Sequence, residues 1–280
     1  MIKTDLVLET CEILKESNFD LSKFSGVFSE EYIDNSCKVT KVCILNEEGS
    51  KKIGKPIGEY YTIDIEDKSD TDTIYCIKNI LKNLAKNKKN FLVTGIGNKN
   101  ITPDALGPFV IDNTIATRHL KDNEFFKHLN EVSVISTNVL GKTGIETGII
   151  VKNICEDIKP SCIIAIDALT ARSPSRLGNV IQISNTGLTP GSGIGNSRFS
   201  INEDNLGVLV IAIGVPTVIT GSTFAHSMNN SKNADLYQDI IVTPKEIDTI
   251  IKKTSKIIAY AINHMINPSL DDEDMQMFLE

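Results

Sequence analysis

The 280-residue sequence predicts an α/β protein, an α/β/α sandwich on a mostly parallel central sheet, with a smaller β-containing region ahead of it. Three observations carry that expectation. From residue 90 onward, short apolar runs alternate with segments of helical periodicity, as in a parallel sheet covered by helices. The run from Ser161 to Ala168, "SCIIAIDA", is apolar nearly throughout, as a strand buried on both faces must be. Before residue 90 the rhythm is different, and two segments alternate like strands with one wet face.

Taken in order, Lys38 to Asn46 and Glu59 to Ile65 read as exposed strands, joined by "EEGSKKIGKPIG" as a turn-rich loop. Thr71 to Asn87 places Ile74, Ile77, Ile80, Leu81 and Leu84 on one helical stripe with lysines opposite. Phe91 to Gly95 is a strand, Asp104 to Leu120 a helix, Val132 to Val139 a strand and Gly144 to Ile158 a helix. Ser161 to Ala168 and Leu206 to Gly214 supply two further strands. The last helix is expected to start at "TPKE", with Thr243 capping, Pro244 in the first turn and Glu246 closing a capping box. The expected organisation is one domain over residues 1–280: strands and a helix over 1–88, an α/β core over 89–266, and an acidic tail over 267–280. That tail should be solvated, or held only by its last apolar residues.

The formal net charge of −7 and the lack of a basic stripe argue against a nucleic-acid partner. The most apolar run, Leu206 to Thr220, is broken by Gly214 and Pro216 and is too short to span a bilayer. The N-terminus has Asp5 where a signal peptide would be apolar, so the expected location is cytoplasmic, with no membrane partner. Six cysteines form no Cys-x-x-Cys pair and read as free core thiols.

In open α/β sheets, ligands bind outside the carboxyl ends of the strands. The loops there are Gly97 to Pro103, Leu140 to Thr143, Asp167 to Asn179 and Gly187 to Arg198. Two carry an acid in a telling place. Asp104 follows the first strand in "GIGNKNITPDALGP", and Asp167 ends "CIIAIDAL". Each has a plain structural alternative: Asp104 as a helix cap, Asp167 as the ion-pair partner of Arg172 or Arg176. If the two strands are neighbours, however, both carboxylates face one crevice. One pKa then rises and the pair shares a proton, which suits general acid–base work on a water. The same pair could instead hold a divalent cation such as calcium or magnesium; no cofactor is otherwise indicated. Gly95, Gly97 and Gly107 should permit close backbone approach around the crevice.

Other motifs fail. "GIGNKN" lacks the third glycine of a dinucleotide fingerprint, "STNVLGKT" lacks the first glycine of a P-loop, and "PGSGIG" has Pro190 where a nucleophile elbow needs glycine. The four histidines are scattered.

The stretches "GIGNKNITPDALGP", "TRHL", "TGIET", "IIAIDALTARS", "IQISNTGLTPGSGIGN", "IAIGVPTVI" and "VTPKEID" occur in the order of the germination protease family of spore-forming bacteria, which the chain resembles over most of residues 90–250. The resemblance implies an endopeptidase that degrades small acid-soluble spore proteins early in germination, in the forespore or spore core. It implies a fold similar to hydrogenase-maturation peptidases, synthesis as a zymogen and a homo-oligomer, a tetramer. The family's two functional aspartates fall by motif on Asp104 and Asp167. Gly97, Asn98, Thr102, Glu146 and Arg172 are the expected site-lining residues; no metal ligand is assigned. A non-catalytic relative that binds spore proteins is the reading from another class.

Three departures stand out. "IKTDLVLE" resembles the start of the mature enzyme, so a mature form, or one regulated differently, is expected. The segment between "GVPTV" and "TPKE" is short; within it Thr220 to Leu236 is expected to be a lid or a plain connector. Asn185 replaces the aspartate of the family's "QISD", so no carboxylate acts there.

Overall fold

The structure, a computed structural model, describes residues 4–17, 24–191, 198–228, 236–237 and 239–279. In chain order the first elements are α1 (Val7–Glu16), β1 (Val27–Asp34), β2 (Cys37–Ile44), α2 (Glu47–Ile53), β3 (Gly58–Asp64) and α3 (Asp70–Leu84). Then come β4 (Asn90–Ile96), α4 (Leu106–Asp112), β5 (Glu131–Asn138), α5 (Leu140–Thr143), α6 (Thr147–Ile158) and β6 (Cys162–Thr170). The chain continues with β7 (Val180–Ser184), α7 (Glu203–Leu206), β8 (Leu209–Thr220), α8 (Gly221–Ser227), β9 (Ile241–Val242), α9 (Ile247–Ile266) and α10 (Asp272–Leu279).

One mixed sheet runs through the molecule in the order β1-β2-β3-β7-β8-β6-β4-β5, with β9 paired to β8. The half containing β8, β6, β4 and β5 is parallel. The half from β1 to β7 is antiparallel and joins β8 through an antiparallel β7. The N-terminal strands therefore continue the same sheet. Alternation along β4, β6 and β8 sends Phe91, Val93, Ile164, Ile166, Ile211 and Ile213 into a core beneath α3, α4 and α9. Leu92, Ile163, Ala165 and Val210 point the other way, towards Val151 and Cys155 of α6. Helices on both faces of buried strands explain the unbroken apolar character of β6. Ile164 is fully buried in this central strand. Ile164→Ala is expected to cost about 2–5 kcal/mol, read as a lower denaturant midpoint at unchanged m-value.

Several expectations need correction. "EEGSKKIGKPIG" contains helix α2, because the Asn46 side chain accepts the Gly49 N–H at 3.0 Å and Gly54 closes the helix in the left-handed region. The helix foreseen over Asp104 to Leu120 stops at Asp112. The Asn113 and Thr114 side chains bond back to the Phe109 and Val110 carbonyls, and Asn263 of α9 takes the Ile115 N–H and donates to the Asn113 carbonyl. Polar side chains there out-compete the helical ladder. Gly144, at φ 70°, separates α5 from α6, so the helix foreseen from Gly144 begins at Thr147. No capping box forms at α9: the Thr243 hydroxyl donates to the Thr217 carbonyl at 2.8 Å, and Glu246 makes no side-chain cap. The tail is helical, with Leu270 and Met275 buried against Ile115 and Phe278 edge-on to Phe126. Of the segment Thr220 to Leu236, α8 packs through Gly221, Thr223 and Ala225; residues 229–235 lie outside the described residues. All six cysteines are free and buried, as a core role requires.

Candidate active site

The site begins where β4 ends. Gly97 has a φ of 122°, and a Cβ built there would lie 1.9 Å from the Asp104 carbonyl oxygen. Only glycine lets the chain turn so tightly. The loop returns through a single 3-10 turn, Thr102–Asp104. There the Asp104 carboxylate accepts the N–H of buried Asn98 at 2.8 Å, and Asn98 uses its own side-chain oxygen on the Asn100 N–H. Asp104 does not cap α4, whose N-terminus has no side-chain cap. Gly107 presses α4 onto the strand: a Cβ there would meet the Ile96 backbone at 2.3 Å. The sequence "GIGNKNITPDALGP" thus builds a loop that grips its own carboxylate.

Asp167 lies near the end of β6, opposite Gly214 of β8, which in turn faces Gln182 of β7. Its Oδ1 accepts the Ala168 N–H at 2.9 Å. β4 and β6 are adjacent and parallel, with Gly95 opposite Ile166, so their carboxyl ends open on the same side. Asp104 and Asp167 both line a cleft of about 700 Å³, together with Asp5, Thr147, Gln182 and Arg198.

Burial raises the Asp104 pKa, while the Asn98 N–H and the Arg198 charge pull it back. Asp167 is raised well above the usual carboxylate range, first by burial and then by the neighbouring charge of Asp104, with Asp5 adding to it. The Ala168 N–H opposes this only in part. Solvent touches Asp167 through the cleft, but dense protein around it makes ionisation costly.

The remaining expected site residues divide. Gly97 and Asn98 shape the loop that holds Asp104. Thr102 is exposed at the start of the 3-10 turn, where its carbonyl receives the Ala105 N–H. Glu146 stands at the head of α6, next to lining Thr147, with one carboxylate oxygen enclosed and unpartnered among the described residues. Arg172 is turned away from the cleft, bonding both oxygens of Glu16 at 3.0 and 2.7 Å. Arg176 pairs with Glu12 and Glu9. Asp167 therefore has neither arginine as a partner. Asn185 accepts the Glu59 N–H at 2.9 Å and anchors the start of β3.

Sequence reasoning missed Asp5, Gln182 and Arg198. Asp5 and Gln182 reach the cleft through tertiary contacts that no local pattern announces. "STNVLGKT" ends in the short α5, with Gly141 to Thr143 exposed; most of "PGSGIG" lies outside the described residues. Among those described, no three His, Cys, Asp or Glu side chains are grouped to hold a metal ion, and no helix is long and apolar enough to cross a membrane.

The germination protease family model matches residues 7–231. The chain belongs to the germination protease family. It is 40% identical over 322 aligned positions to the germination protease of Caldanaerobacter subterraneus subsp. tengcongensis, covering 99% of this chain and 98% of that one. Against that of Clostridium perfringens strain SM101 the identity is 41%, with 99% of each covered. Against that of Bacillus cereus strain B4264 it is 31%, with 98% and 95% covered. Among solved structures, a [NiFe] hydrogenase maturation protease, HycI from Thermococcus kodakarensis, aligns with TM-score 0.40 and 17% identity over 65% of this chain and 98% of that one. Family membership makes the chain a peptidase of germination.

Proposed function

We propose that this family member is an endopeptidase that hydrolyses small acid-soluble spore proteins in the germinating spore, with Asp104 and Asp167 acting as a pair on one water. The observation that carries the reading is the placement of two carboxylates, both with raised pKa, in one cleft, Asp104 from the loop after β4 and Asp167 from the adjacent parallel strand β6. Two such acids share a proton more cheaply than they ionise together.

In this reading Asp167 keeps the proton, because burial and the neighbouring charge of Asp104 both oppose its ionisation. Asp104, steadied by the Asn98 N–H and by Arg198, carries the charge. Asp104 takes a proton from the water as its oxygen adds to the peptide carbonyl carbon, while Asp167 gives its proton to the carbonyl oxygen. The tetrahedral species then collapses: the C–N bond breaks, the nitrogen takes the proton held by Asp104, and the carbonyl-derived hydroxyl returns one to Asp167. Gly97 and Asn98 serve by holding Asp104, and Thr102 and Glu146 stand at the approaches to the cleft.

The test is incubation with a purified small acid-soluble spore protein. The expected result is cleavage by the wild type and none by Asp104→Asn. An active Asp104→Asn variant sinks the pair mechanism; an intact substrate that co-purifies with wild-type protein supports a binder instead. A homo-oligomer, a tetramer by family resemblance, belongs to the same reading and is checked by sedimentation.

The raised pKa values also set a pH profile. Because both acids ionise above the ordinary range, the acid limb of kcat should lie above the pH at which an exposed carboxylate titrates. The two apparent constants belong to the pair, and the kcat–pH profile of the wild type measures them.

A further inference from the structure

Outside the cleft, α1 carries a buried carboxylate, Glu9, which is 1% exposed. Its Oε2 accepts the Arg172 N–H at 2.6 Å and the Thr4 hydroxyl; its Oε1 accepts the Ser173 N–H at 2.9 Å. The Arg176 guanidinium approaches Oε1 at 3.4 Å. Arg172 and Ser173 belong to the backbone that leaves β6, the strand carrying Asp167. The same stretch is held one step earlier by Asp5, whose N–H donates to the Thr170 carbonyl and whose Oδ2 accepts the Thr170 N–H, both at 2.9 Å. Between them Leu6 is fully buried against Ala171, Leu177 and Val180. The N-terminal segment therefore binds the β6 exit through its backbone, residue after residue.

We propose that Glu9 is a positioning residue: its carboxylate clamps the chain leaving β6 and so fixes Asp167 on the cleft floor. The inference rests on the reading that Asp167 acts in the chemistry. The Arg172 and Ser173 N–H groups each need an acceptor oxygen, one on either side of the carboxyl group. The amide of a Gln must turn its NH₂ against N–H or O–H donors on one side. That conflict falls on the backbone following Asp167, and small displacements of a reacting group are costly in rate. By contrast, half-buried Glu12 and exposed Glu16 of the same helix bond the Arg176 and Arg172 side chains.

The experiment measures kcat and KM on a purified small acid-soluble spore protein for Glu9→Gln, Glu9→Asp, Glu12→Gln, Glu16→Gln and Asp167→Asn, each shown by circular dichroism to be folded at the assay temperature. Glu9→Gln should lower kcat about tenfold or more with KM within about twofold. Glu9→Asp keeps the charge but withdraws the carboxylate by one carbon–carbon bond, and should also lose kcat; it serves if Glu9→Gln fails to fold. Glu12→Gln and Glu16→Gln should stay within about twofold of wild type, since each gives up a bond to an arginine side chain and none to the backbone that follows Asp167. A folded Glu9 variant with wild-type kcat overturns the proposal, as does a loss confined to KM or an equal loss in the Glu12 and Glu16 variants. Asp167→Asn separates the two layers: if it still turns over, the reading of Asp167 fails; if it is dead while Glu9→Gln is normal, only the clamp fails.

Discussion

Asp167→Asn should abolish cleavage while making the folded protein more stable at neutral pH. The substitution keeps the shape and the bond from the Ala168 N–H but removes the acid–base function, for which a loss on the order of 10²–10⁴ in kcat is expected. The stability change follows from linkage. In the native state the Asp167 pKa is raised well above its ordinary value of 3.8. The unfolded chain therefore releases its proton first as pH rises. The favourable contribution of the protonated acid is complete below the unfolded pKa and is lost as pH climbs through the folded one. Asn carries no such penalty, so thermal melts should show the variant above wild type near neutrality, with the gap closing as both are acidified towards the ordinary carboxylate range. A variant with wild-type turnover, or one that melts lower at neutral pH with no gap closure on acidification, contradicts the assignment.

Gly97→Ala should be nearly as damaging to activity, by a different route. A Cβ at this position would stand 1.9 Å from the Asp104 carbonyl oxygen, and the φ of 122° is one that an L side chain rarely adopts. The loop must open, and opening it separates the Asn98 N–H from the Asp104 carboxylate. We expect a stability loss of about 1–3 kcal/mol and a fall in kcat of about 10²-fold, the scale of an ångström-sized misplacement. Chemical denaturation and steady-state assays on folded protein measure the two effects. Gly144→Ala is the control, since its positive φ lies where a Cβ would meet nothing within 4 Å. It should show backbone strain with kcat unchanged.

The sequence by itself determined the parallel core and singled out the two aspartates that the fold brings to one cleft. β4 and β6 announce themselves as apolar runs because helices cover both their faces, and an acid within such a run, as Asp167 is in β6, calls for chemistry or a buried pair. It also supplied the family, since "GIGNKNITPDALGP" and "IIAIDALTARS" are long, ordered strings whose glycines and acids answer to specific contacts. Local pattern could not supply β1, whose alternation is blurred by Glu30 and Glu31 on an exposed edge, or β7, five residues embedded among loops.

The helix caps failed for a related reason. The Thr243 hydroxyl is drawn from the α9 cap by the Thr217 carbonyl of β8, and the stop at Asp112 depends on Asn263, 150 residues away from Asn113. Tertiary structure alone decided that Arg172 and Arg176 serve α1 rather than Asp167, because three glutamates spaced along one face of that helix offered them better partners. It also decided that Asp5 reaches the cleft and that Glu9 holds the backbone behind Asp167. These contacts join residues about 160 positions apart, and hydrogen bonds of that kind are made by the folded chain's geometry, which periodicity and motif spacing do not encode.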